Sequence, residues 1–183
     1  MPRLRFELGL VLATMLLFAA ALVVNEWLFP QLEFVPGISW VYLPAGVRLL
    51  CTLLFAEAGA VGLLLVSWLV CFFHFFPNDP LRSFMGGILA SAAPYLVYRL
   101  AQRHFGMAAS LANLTPLRLL HLCLAYSIAS PLLHHVWFAI QGQPDLARGF
   151  LVMFIGDLNG TLIVIYTMKA LLFVASLRPR SGP

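Results

Sequence analysis

Few ionisable side chains fall inside the apolar runs of this chain, and two of them sit in similar company. Arg48 follows Pro44 and Gly46 closely, while Asp157 and Asn159 stand between Gly156 and Gly160. An ionisable group in hydrocarbon is expensive, so each marks either a site or an internal structural pair. Counting about 1.5 Å per residue from the ends of their runs places Arg48 and Asp157 at similar depth. Two chemistries remain open for them. One is an ion pair tying two helices together. The other is capture of a carboxylate or phosphate, because an arginine fork can give two parallel charge-assisted hydrogen bonds to such a group. Glu26, His74, His134 and His135 count into the same outer half of the membrane. The inner half has only Lys169, His121 and Glu57, so the polar constellation is one-sided.

Three histidines and a glutamate could supply metal ligands, but adjacent histidines on a helix point about 100° apart and do not easily face one ion. No metal site is expected, and the histidines read as partly solvated groups near the interface, able to respond to pH. Ser67, Ser91, Ser127 and Ser130 lack a Gly-x-Ser-x-Gly context, and neither a His-Glu-x-x-His motif nor a phosphate-binding glycine loop occurs. We expect no catalytic residues, no cofactor and no enzyme activity.

The elements that must position these side chains are transmembrane helices. Hydrophobic residues make up 62% of the 183 and charged residues 10%, with a mean hydropathy of +0.93, which excludes a soluble fold. The apolar runs predict one all-α polytopic bundle over 1–183, with about six helices near 8–29, 40–56, 58–76, 84–100, 117–140 and 150–177. Pro36-Gly37 and the Pro77-to-Pro80 stretch mark turns, and Thr115-Pro116 reads as a helix cap followed by a first-turn proline. The boundary between the second and third helices carries only Glu57 and Gly59. Cys51, Cys71 and Cys123 lie in apolar runs without CxxC spacing and read as small core residues.

Arg3, Arg5, Arg99, Arg103, Arg118, Arg178 and Arg180 fall on the side of the two termini, and Arg82 and Arg148 on the other. By the positive-inside rule both termini are cytoplasmic. The net charge of +4 is scattered over segment ends rather than gathered on one face, which argues against nucleic acid. The expected partners are the lipid bilayer and a membrane or cytoplasmic protein, or a second copy of the chain.

The segment Tyr42-Leu-Pro-Ala-Gly-Val-Arg-Leu-Leu50 resembles the Pro-x-Gly-[Ile/Val]-x-Leu opening motif of the bacterial membrane-associated sensor domains of the MASE type. Gly156-Asp157-Leu158-Asn159-Gly160-Thr161-Leu162 is similar to their late Gly-Asp-x-x-Gly-x-Leu motif, and Gly86-Gly87-Ile88-Leu89 with Tyr98-Arg99-Leu100 looks like the helix between. The resemblance covers residues 40 to 172. It implies a sensor domain of a bacterial inner membrane, with a site on Pro44, Gly46, Arg48, Gly156, Asp157 and Gly160. The chain departs from that family in having fewer helices and in carrying no output domain after Leu177, so a sensor of this kind acts through a separate protein. An importer subunit that binds a small molecule, like the S components of energy-coupling-factor transporters, is the alternative, and a structural assembly subunit a third.

Overall fold

The structure, a computed structural model, describes residues 2–108 and 110–177, so Arg178 and Arg180 lie outside the described residues. The chain order is α1 (Pro2–Leu28), a short helical turn (Pro30–Leu32), a two-stranded hairpin of β1 (Glu33–Val35) and β2 (Ile38–Ser39), then α2 (Leu43–Val70), α3 (Pro80–His104), α4 (Pro116–Ile140) and α5 (Leu146–Leu177). A wider helical turn, Cys71–Phe75, extends α2. Asp79 and Thr115 cap α3 and α4 by accepting from the backbone N–H groups of Arg82 and Arg118, and each is followed by a proline, which needs no N–H partner.

Five helical stretches are long and apolar enough to cross a membrane. The second, Leu43–Phe75, is not one straight rod. Ala56 breaks it with φ 47° and ψ −119°, and the two arms fold back on each other. A Cβ placed on Gly59 would collide with the carbonyl of Cys51, whereas residues eight apart in a straight helix are separated by about 12 Å along the axis. Both ends of the stretch also lie beside the end of α1. Leu43 N–H donates to Asn25 Oδ1 at 2.8 Å, and His74 Nε2 lies 2.7 Å from Glu26 Oε1. Glycine at 59 is therefore what lets the arms close, and with α2 folded into two arms the described bundle is consistent with the about six helices that the apolar runs predict.

The second arm runs antiparallel to α3. Trp68 Nε1 donates to Phe84 O near one end, Ser83 Oγ donates to Cys71 O, and Glu57 meets Tyr95 and Arg99 near the other end. Helices α4 and α5 pair likewise, with His135 lying against Gly149. The core joins Phe18 of α1, Leu49, Leu63 and Val66 of α2, Ala93 of α3 and Tyr126 of α4. A small separate cluster, Ile38, Val152 and Met153, seats the β-hairpin on the first turns of α5. We call the membrane face on which the hairpin lies the far face; α1 starts on the opposite one.

Two boundaries differ from the sequence reading for physical reasons. The second helix begins at Leu43 rather than near Trp40, because residues 40–42 are held in a non-helical bend by bonds to other elements. The last helix begins at Leu146 and runs unbroken through Gly156-to-Gly160. Those polar residues face neighbours and do not interrupt the helix. Beyond Ile165, α5 leaves the bundle, and residues 166–176 are exposed on every side.

Candidate functional site

The glycines of the late motif receive backbone. A Cβ on Gly156 would run into Ser39 O, and one on Gly160 into Tyr42 O, so only glycine lets segment 39–42 lie directly on α5. Gly46, one turn into α2, continues this contact. A Cβ there would come within 3.0 Å of Gly160 O and 2.6 Å of Val164 Cβ. Non-helical backbone at membrane depth needs partners from within the protein. Tyr42 N–H donates to Gly156 O at 3.1 Å, Asn159 Nδ2 donates to Trp40 O at 3.2 Å, and Asn25 takes the N–H of Leu43. Pro44 then occupies the first turn of α2, where a missing N–H costs nothing.

This docking carries Arg48 and Asp157 into the interior, 6% and 1% exposed. The Arg48 guanidinium lies 5.1 Å from the ring centre of Phe18 and 5.3 Å from that of Tyr42, within range of a cation–π attraction to both rings. Asp157 faces α4, where Tyr126, Ser127 and Ser130 are fully buried, and Thr161 stands one turn further along α5. The Tyr126 hydroxyl faces Arg48 on one side and Ser130 on the other, and Ser130 faces Asp157. None of these approaches reaches hydrogen-bonding geometry. Arg48 Nε, Tyr126 OH, Ser127 Oγ, Ser130 Oγ, Asp157 Oδ2 and Thr161 Oγ1 are all buried without a partner.

Arg48 and Asp157 thus share one cluster but do not form a direct ion pair. The salt bridges among the described residues are Arg3–Glu7, His74–Glu26 and Arg99–Glu57. Leaving a buried polar group unpaired costs about 1–3 kcal/mol, so the facing groups Arg48, Tyr126, Ser130 and Asp157 form a buried polar network with capacity to bind more than they hold.

The remaining predicted residues separate into two places. Glu26 and His74 pair half-exposed at the rim of a far-face crevice of about 400 Å³, whose walls include Leu22, Asn25, Glu33 and Phe75. His134 and His135 belong to α4. Each donates from Nδ1 to the carbonyl four residues earlier, Ser130 O and Pro131 O, at 2.8 Å. His135 also packs edge-on against Phe138 and Phe150. Among the described residues no group of three His, Cys, Asp or Glu side chains is arranged to hold a metal ion.

Four contributors escape the sequence reading: Asn25, Tyr126, Thr161 and Arg82. Tyr126, Ser130 and His134 recur at intervals of four along α4, a polar stripe that could have announced them. Asn25 offers no such signal, because its role depends on where Leu43 arrives. No protein-family model, curated protein or solved structure matches this chain.

Proposed function

We propose that this chain is a membrane-embedded sensory or regulatory subunit, which reads a small signal from the far face and acts through a partner protein. The carrying observation is that one helix holds both halves of such a device. The outer half of α5 bears Gly156, Asp157 and Gly160 at the buried polar cluster, and its inner half, residues 166–176, stands free of the bundle for about 16 Å. A change in how segment 39–42 and Arg48 sit on α5 alters the helix directly, and the free half is where a partner helix gains or loses contact. A ligand shifts such an equilibrium only by binding its states unequally, and a cluster of unpaired buried groups differs strongly between occupied and unoccupied forms. The motif resemblance to bacterial membrane-associated sensors agrees with this reading. So does the excess of arginines on the side of the termini, which by the positive-inside rule favours a cytoplasmic setting for that side, as the bacterial inner-membrane reading requires.

A second reading has its own support. The far-face crevice of about 400 Å³ is within the range of small-molecule sites, as an importer's binding subunit requires. The two part on cargo. The tagged chain, cross-linked in its own membranes at native abundance and reconstituted into nanodiscs, is assayed by mass spectrometry for proteins and small molecules together. The sensor reading expects one stoichiometric partner, cross-linked through residues 166–176, whose yield changes in Asp157→Asn. A tightly held vitamin-sized molecule selects the importer. A lone, ligand-free chain that turns over a substrate rejects both.

A further inference from the structure

Beneath the tip of the β-hairpin lies a second, smaller and partly open cavity of about 50 Å³, adjoining the far-face crevice along Pro36, Gly37, Ile38, Tyr42 and Phe75. Two arginines line it, from different helices: buried Arg48 and, from the first turn of α3, Arg82. No carboxylate lines it. Both guanidiniums lie over aromatic rings, Arg82 with its central carbon 4.1 Å from the centre of Phe76 and 5.6 Å from that of Phe138. In both side chains Nε is buried and unpartnered. Asp79 accepts from the backbone N–H of Arg82 and forms no ion pair with its side chain among the described residues.

Two like charges lining one small cavity repel each other, and burial also penalises each of them. Asp157 offsets Arg48 from the other side but does not line the cavity, so no opposite charge stands between the two arginines. We infer that this cavity is an anion site, with Arg48 and Arg82 as its two binding groups and the hairpin tip as its cover. Its size sets the class. At about 10–15 Å³ of accessible space per water, it admits a monovalent anion of about four heavy atoms or fewer, such as chloride, formate or acetate, and excludes nucleotides and sugar phosphates. His134 forms part of the wall, its Nδ1 committed to Ser130, and contributes shape rather than fixed charge. This assignment names the ligand class of the proposed signal site and rests on reading Arg48 as reachable from the far face.

The test uses the full chain in nanodiscs of neutral lipid, at ionic strength held constant with gluconate. The unfolding midpoint is followed while chloride, formate or acetate replaces gluconate. A site that binds only the folded state gives a saturable rise. We expect that rise in the native chain and in Arg99→Gln, which removes a charge beside Glu57 at the opposite membrane face. In Arg82→Gln the apparent affinity falls about tenfold or more, as loss of a charge-assisted bond requires. Arg48→Gln also disturbs the Asp157 cluster, so half-buried Arg82 carries the test. An equal rise in Arg82→Gln overturns the assignment, as does the absence of a saturable rise with all three anions in folded protein. Anion binding that leaves the partner complex unchanged upholds this site and removes the signalling role. A partner complex without anion binding does the reverse.

Discussion

Replacing Gly156 or Gly160 by alanine tests the docking of segment 39–42 on α5 with a single methyl group. At both positions the new Cβ would overlap a backbone carbonyl, Ser39 O or Tyr42 O, and not the end of a flexible side chain. The segment cannot retreat freely, since Tyr42 N–H, Leu43 N–H and Trp40 O are all bonded to α5 or α1. Overpacking costs about 1–3 kcal/mol and each strained or lost hydrogen bond about 1 more, against a gain of up to about 1 from the better helix propensity of alanine. The net loss is about 2–4 kcal/mol for each variant. Gly9→Ala is the matched control: its Cβ meets nothing within 4 Å, so it keeps the helix gain alone. Gly86→Ala, whose Cβ would approach Cys71 Sγ at 3.3 Å, falls between. Reversible unfolding in mixed micelles by increasing sodium dodecyl sulfate, followed through tryptophan emission, ranks the four. If Gly156→Ala and Gly160→Ala unfold within about 0.5 kcal/mol of Gly9→Ala, segment 39–42 is not seated on those glycines and the account of the site fails.

Ala56→Gly relieves a positive φ that alanine tolerates poorly and raises stability by about 1 kcal/mol in the same assay; a loss shows that the turn is not formed as described. Tyr126→Phe removes a buried hydroxyl that has no partner, so stability stays level or rises, and a drop of more than about 2 kcal/mol reveals a bond at that oxygen. Single cysteines introduced at Glu57 and Arg103 label with an impermeant reagent from one side of the membrane, and those at Asn78 and Asp145 from the other; labelling of 57 together with 78 contradicts the folded-back α2.

The helices were legible because hydropathy sums over many residues, and no local error outweighs twenty apolar side chains. The break in α2 was legible too, though faintly: Glu57 and Gly59 are weak punctuation, and only the collision of a Cβ at 59 with Cys51 O explains why a glycine stands there. The common depth of Arg48 and Asp157 followed from counting rises. Their failure to pair directly did not, since it depends on how Arg48 sits among Phe18, Tyr42 and Tyr126 once the helices pack. Arg82 counted only toward topology in the sequence, because a residue two positions after a loop proline gives no sign that it turns inward. The loop at Pro36-Gly37 read as a turn, but a two-residue strand bears no periodicity by which to recognise it.

The bond from Tyr42 to Gly156 joins positions on opposite sides of most of the chain, and this sets an order on biosynthesis. When residues 39–42 leave the ribosome, the helix that bonds Tyr42 N–H and Trp40 O has not been made. The first arm of α2 reaches its final seat only after α5 has entered the membrane, so the earliest helices wait through synthesis of the later ones with unpaired amides and a charged arginine on hand. A nascent chain stopped before residue 156 presents that unfinished segment to membrane proteases and chaperones. Completion of α5 is the event that closes the protein.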